Sequence, residues 1–419
     1  MLSKRKIPRE FTIDNSINLL KEGYLFIHNR CLRYKTNMFI TRLMGEKVIC
    51  MSGKEAVELF YDKDKFQRKG AAPKRIQKSL FGENGVQTLD GNEHLHRKQM
   101  FMSLMTPEKL EEVVHLTKEK WDALILKWES LNEVNLFESM QMLLFQVGCE
   151  WAGVPFLMSE VYPRAKDFTA MVDAFGAIGP RHWSGRLART RQEKWIMNVV
   201  EGIREGSLLV KEGTAAELFS LSKDVNGDLL SPHVAAVEII NIIRPIVAIS
   251  YYITFSALAL YHFPECKTKI QNYEEDYIHM FCQEVRRFYP FGPFLGARVK
   301  KDFMWNGQPF HKGTLVLLDI YGTNHDEHLW ENADQFTPER FKHWNGDPFA
   351  LIPQGGGDHY THHRCAGEWL TVDVMKTSIN YLVHAIDYEI PLQDLSFTLN
   401  RMPAIPKSGV ILRNVKRKS

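Results

Sequence analysis

The sequence predicts a mainly helical, single-domain protein over residues 1–419, with small β-sheets at one side. Helical apolar periodicity dominates residues 107–262, while strand-like runs are confined to a stretch near the N-terminus and to residues after 300. No repeat, low-complexity run or long Gly/Ser linker divides the chain. Apolar residues make up 44% and charged residues 25%, ordinary for a globular protein. A net charge of +3 is too small to suggest nucleic acid as a partner.

Taken in order, Asp14 is placed to cap a first helix through Ile17, Leu19, Leu20, Tyr24 and Ile27. Residues 39–43 and 48–51 read as two strands around Gly45-Glu46, followed by a short helix over 54–60. Helical patterns then cover 107–128, 136–151, 161–175, 191–210 and 231–262. The last opens on Ser231-Pro232, a good N-cap with proline at the first helical position. Its apolar run over 246–263 falls at the short edge of the membrane-spanning range of about 17–25 residues. Arg244-Pro245 interrupts the entrance to that run, which favours a long core helix. Phe303-Met304-Trp305, Asn306-Gly307 and Gln308-Pro309-Phe310 form a hairpin signature. Residues 314–319 read as a buried strand, and 388–412 as short strands.

The cysteines at 31, 50, 149, 266, 282 and 365 show no paired spacing, which predicts reduced thiols in a cytoplasmic protein. The opening residues, from Met1 through Lys4-Arg5-Lys6 to Pro8, carry no apolar stretch behind them. Neither a signal peptide nor an N-terminal membrane anchor is expected. That short basic run and Lys416-Arg417-Lys418 read as solvated ends.

The most specific local feature surrounds Cys365. Pro353-Gln354-Gly355-Gly356-Gly357 precedes it, and Leu370, Val372, Met375, Ile379, Leu382 and Val383 follow at helical spacing. A glycine-rich loop allows close backbone approach to a flat ligand. The loop-to-helix position predicts a lowered thiol pKa and a thiolate able to ligate iron. Taken alone, a lone cysteine reads as a buried free thiol. Two distant features add to it: Glu284-Val285-Arg286-Arg287 on an amphipathic helix, and Pro338-Glu339-Arg340-Phe341 about fifty residues later. In this order the three motifs resemble the cytochrome P-450 superfamily. The resemblance implies that fold, with haem b buried between the long central helix and the cysteine loop. Cys365 would be the axial ligand of the haem iron, and Glu284, Arg287 and Arg340 a buried ion network behind the haem.

The long helix departs from the dioxygen-activating pattern. Residues 241–250 read NIIRPIVAIS, with no acid–threonine pair. Pro245 removes its own N–H and strands the carbonyl of Asn241, a cost of roughly 3 kcal/mol. A guanidinium among Ile242, Ile243, Ile246 and Val247 needs an anion. Arg244 could reach the surface or pair with an internal glutamate; the functional alternative is a bidentate socket for a substrate carboxylate. With Gly355-Gly356-Gly357 and Tyr289-Pro290-Phe291-Gly292-Pro293-Phe294, Arg244-Pro245 is similar to the bacterial fatty-acid peroxygenases over essentially the whole chain.

That resemblance implies hydrogen peroxide as oxidant, a long-chain fatty acid as substrate and no reductase. The substrate carboxylate, pinned by Arg244 beside Pro245, would move a proton between the two peroxide oxygens. Hydroxylation would fall at C2 or C3. Gln87 would face the haem and favour hydroxylation, whereas histidine at that position accompanies decarboxylation to terminal alkenes. Phe81, Phe291 and Phe294 would line the acyl channel, and Arg68, His94, Arg97 and Lys98 would face the haem propionates. A reductase-dependent monooxygenase and a non-catalytic haem-thiolate sensor are the rival readings; His359, His362 and His363 are read as loop residues beside the haem rather than as a second metal site.

Overall fold

In the computed structural model, residues 7–274 and 276–418 are described; the run Lys4-Arg5-Lys6 lies outside them. The organising element is the helix Pro232–His262, capped by Ser231 Oγ accepting from the Val234 N–H at 3.2 Å. Nearly all of its length is buried, because helices Leu136–Ala152, Val161–Asp173, Pro180–Glu205 and Glu368–Asn380 surround it. It is long and apolar enough to cross a membrane, but burial on all sides makes it the core of this domain.

The larger sheet has five strands in the order Met38–Leu43, Glu46–Met51, Leu315–Asp319, Phe294–Val299 and Phe66–Gln67. Only the pairing of Glu46–Met51 with Leu315–Asp319 is parallel. Leu315–Asp319 is buried at every residue, as expected for a central strand. A three-stranded sheet joins Glu133–Asn135, Ile411–Arg417 and Ile386–Glu389, and Phe303–Trp305 pairs with Gln308–Phe310 across Asn306-Gly307.

Several boundaries differ from the sequence reading. The first predicted helix is two, Ser16–Glu22 and Leu25–Tyr34, broken at Gly23 (φ +58°), where the Leu399 carbonyl leaves no room for a Cβ. Asn15 rather than Asp14 takes the N-cap position; Asp14 accepts from the Ser16 and Gly45 N–H groups. The helix expected over 191–210 runs from Pro180 to Glu205, beginning after Gly179 and ending at left-handed Gly206. Helices Ala215–Leu221 and Pro264–Gln271 and the strand Phe294–Val299 were too short or too weakly patterned to read.

Candidate active site

The loop 353–367 and the helix Pro232–His262 enclose a cavity of about 350 Å³. Cys365, Gln354, Gly355 and Leu370 line one side; Arg244, Pro245, Ala248, Ile249 and Tyr252 come from the long helix. Gln87, Phe81, Phe291 and Phe294 all reach it, as do His94 and Lys98. The walls are mostly apolar, and among the described residues no Asp or Glu lines them.

Glycine is required where the cysteine loop folds back. Gly355 has φ +91°, and a Cβ there would lie 2.9 Å from the Tyr61 hydroxyl. At Gly356 a Cβ would meet the Pro348 carbonyl at 2.7 Å, while its N–H donates to Tyr61 Oη at 2.8 Å. Cys365 is tied in by its own N–H, which donates to the Gln354 carbonyl at 3.0 Å. Burial raises the pKa of the free thiol, offset in part by Lys98, the Gly367 N–H and Arg286. The sequence expectation of a thiol lowered by the helix end is therefore corrected: desolvation outweighs the helix terminus.

Arg244 projects from the long helix with its Nε buried and unpartnered. Its Nη2 donates only to Asn241 Oδ1, at a long 3.4 Å. Desolvation first, and the nearby Arg189 second, draw its pKa down to about 9, the signature of a buried cation without its anion. The same helix face carries Glu238, Asn241 and Arg244 at three-residue spacing. Glu238 is fully buried and accepts from Arg97 Nη1 at 2.7 Å, the Val86 N–H at 2.9 Å and Asn241 Nδ2 at 3.0 Å. Asn241 Nδ2 also donates to Gln87 Oε1 at 3.3 Å. Arg189, almost fully buried, pairs with Glu193 at 2.6 Å. Three guanidiniums thus face two carboxylates, and the cluster is one negative charge short of balance.

The four expected propionate cations separate. His94 and Lys98 face the cavity, and desolvation lowers both, to about 4 and about 8. Arg68 lies behind them; it donates to the Gly296 carbonyl at 2.9 Å, and its guanidinium stacks over Phe60 at 4.2 Å. Arg97 turns away from the cavity to Glu238. His363 stacks on His94 with ring centroids 3.8 Å apart, His362 Nδ1 accepts from the Asp358 N–H, and His359 reaches Glu368.

Behind the cavity, Arg287 grips Glu284 through two bonds of 2.7 Å and Arg340 Nε reaches the same carboxylate at 3.2 Å. The remaining Arg287 and Arg340 donors go to carbonyls between 324 and 335, including Asn324, Ala333 and Gln335. Sequence reasoning passed over Glu238, Asn241 and Arg189. The polar stripe at 238, 241 and 244 on an otherwise apolar helix was the available signal for the first two.

These residues fit a haem. A thiol stands at one wall, glycine backbone beside it, cations at one end, and two buried polar groups without partners, Arg244 Nε and the Tyr252 hydroxyl, belong to the lining. A profile described as Cytochrome P450 matches residues 273–412. Cytochrome P450 3A15 of Cavia porcellus is 31% identical over 153 residues, a match spanning 34% of this chain and 29% of that protein's length. The structure of Cytochrome P450EX alpha (CYP152N1) with myristic acid is 46% identical, with 99% of this chain and 100% of that one covered and a TM-score of 0.96. Cytochrome P450SP alpha (CYP152B1) in complex with (R)-ibuprophen is 46% identical over 96% of this chain and 99% of that one, with a TM-score of 0.94. A single-residue variant of cytochrome P450 OleT in complex with arachidonic acid is 39% identical over 99% of both chains, with a TM-score of 0.96. Whole-length likeness of this degree, together with the cysteine loop and the Glu284–Arg287–Arg340 network, shows that the chain belongs to the cytochrome P450 family and, within it, to the CYP152 fatty-acid peroxygenases.

Proposed function

We propose that the chain acts as one haem-thiolate domain, holding haem b through Cys365, and uses hydrogen peroxide to hydroxylate long-chain fatty acids at C2, C3 or both. The observation that carries this reading is the buried, under-compensated Arg244 guanidinium in an apolar cavity that offers no carboxylic acid of its own. A P450 haem iron, when bound, supplies O–O cleavage and C–H oxidation, assisted by thiolate donation. Metal coordination also overcomes the raised thiol pKa, since a coordinating thiol is deprotonated outright.

The protein's part is positioning and proton control. Arg244 donates to the substrate carboxylate, whose charge balances a cluster of three guanidiniums (Arg97, Arg189 and Arg244) and two carboxylates (Glu238 and Glu193). The held carboxylate is the group able to take and return a proton, a role that no lining side chain fills with an acid. Fixing that end leaves only the first carbons of the chain near the reacting centre, with Phe81, Phe291 and Phe294 along the acyl path. Gln87, its oxygen turned to Asn241, lines the cavity with a side chain that has no titrating proton, which favours hydroxylation over decarboxylation. Of the four candidates, Lys98 and Arg68 are assigned to the propionates as cations and His94 as a neutral donor, and Arg97 to the Glu238 pair. All six cysteines are free, in keeping with a cytoplasmic enzyme.

The test is product analysis by gas chromatography and mass spectrometry after mixing the haem-loaded protein, peroxide and a panel of fatty acids, without NADPH or reductase. Hydroxy acids are expected; turnover only with NADPH, reductase and dioxygen overturns the reading. Cys365→Ala should lose the red-shifted ferrous–CO band of thiolate-ligated haem, and its persistence would refute the ligand assignment.

A further inference from the structure

Beside Cys365, a second polar chain runs from the sulfur through Gln354 and Arg286 to the half-buried His359 and Arg364. Gln354 Nε2 lies 3.7 Å from Cys365 Sγ and donates to Thr371 Oγ1 at 3.1 Å. Gln354 Oε1 accepts from Arg286 Nε at 3.1 Å. Arg286 is 1% exposed, and its other donors bind Gln283 Oε1 and Glu368 Oε1. Glu368 is held in turn by Arg364 Nε at 2.6 Å and His359 Nε2 at 3.2 Å.

The chemistry of the groups fixes the direction of this chain. A guanidinium has five donors and no acceptor, so the face of the Gln354 amide turned to Arg286 must be its oxygen. The NH₂ is then compelled to face Thr371 and the sulfur. A carboxylate that can only accept when ionised holds Arg286 from behind, so neither end of the chain can reverse. The arrangement uses a buried ion pair to decide the orientation of one neutral amide.

We propose that Gln354 tunes the thiolate by donating a side-chain hydrogen bond to Cys365 Sγ, and that Arg286 and Glu368 are positioning residues that keep the amide turned that way. The inference rests on Cys365 being the iron ligand. A donor on the sulfur withdraws electron density and favours the more electron-rich ferrous state, so hydrogen bonding to the ligand sets the potential.

The experiment measures the ferric/ferrous potential and the Fe–S stretching frequency by resonance Raman in haem-loaded variants whose ferrous–CO band confirms thiolate ligation. Gln354→Leu should shift the equilibrium toward ferric by about tenfold, about 59 mV for one electron, and raise the Fe–S frequency. Arg286→Lys, which keeps the charge but gives up the planar fork, should shift both in the same direction by less. Combining the two should go no further than Gln354→Leu alone. Should Gln354→Leu fail to load haem, Gln354→Met, unbranched and of similar length, supplies the same readouts. An unchanged potential and Fe–S frequency in a thiolate-ligated Gln354 variant overturns this inference alone, as do additive shifts in the double variant. A native protein without the red-shifted band overturns the reading of Cys365 and this inference with it.

Discussion

Replacing Arg244 by methionine should separate stability from function in opposite directions. In the structure, Arg244 makes one long bond to Asn241, leaves Nε without a partner and is drawn down to about 9 by desolvation and by Arg189. At about 1.36 kcal/mol per pKa unit, the empty protein carries a few kcal/mol of unfavourable solvation at this side chain. Methionine fills much of the same volume without a charge, so thermal or urea unfolding of the empty variant should show equal or greater stability than the native protein. Binding should move the other way. Losing a charge-assisted bond to the substrate carboxylate costs about 1.5–3 kcal/mol, or roughly 10- to 150-fold in Kd. Displacing that carboxylate should remove a further factor of about 10²–10⁴ in rate. Spin-state titration with a long-chain acid measures the first effect, and peroxide-driven product formation the second. A matched fatty alcohol provides the control, since its binding should be nearly indifferent to the substitution. Saturating acid, at about 100 times Kd, should stabilise the native protein by about 2.7 kcal/mol and the variant by much less. Near-native turnover of the acid by Arg244→Met, or a large loss of stability in the empty variant, would refute the socket.

Three other outcomes follow from the same geometry. Gln87→His places a titrating ring beside Asn241, so the alkene share of the products should rise; predominantly alkene from the native protein, or no change in the variant, would remove Gln87 from control of the branch point. Glu238→Gln leaves Arg97 buried without its anion, which should cost about 3–5 kcal/mol in urea unfolding. Pairing that change with Arg97→Met should recover most of the loss, and failure to recover would mean the ion pair is not its source. Asp319 is fully buried with one oxygen unpartnered, and desolvation raises its pKa from 3.8 to about 7 against the single Gly322 N–H. Its contribution to stability is therefore complete below about pH 4 and is lost as pH rises through 7. The swing is at most about 4 kcal/mol. Asp319→Asn, able to keep the Gly322 bond, should match the native protein near pH 4 and exceed it at pH 8; identical pH profiles would contradict this.

The helical frame was legible because long amphipathic and apolar patterns carry their own ends: Ser231-Pro232 is a cap in the structure as in the sequence. Where register depends on a neighbour, the sequence was silent. Gly23 breaks a helix because Leu399 crosses it, a contact some 376 residues away in the chain. Cys365, Arg244, Gln87 and the three phenylalanines were named from motif order and resemblance, and the structure brings them to one cavity. Arg97 looked equivalent to Lys98 because both are basic and adjacent. One step along a helix turns a side chain by about 100°, which sends one to the cavity and the other to Glu238. Arg286, between the two members of the Glu284–Arg287 pair, could not be recognised at all, since its partners Gln354 and Glu368 lie 68 and 82 residues downstream.

The absence of any carboxylic acid from the cavity lining has a consequence for the cell rather than for the reaction. A site that must borrow its proton shuttle from the substrate is idle while empty. On the proposed reading, peroxide arriving without a fatty acid meets a chamber whose described lining offers no carboxylic acid to relay its proton, and little O–O cleavage should follow. The same dependence makes the site blind to acyl chains whose head group is masked as an ester or amide. On the proposed reading, the release of free acid by a hydrolase acts as the switch, and peroxide sets only the pace.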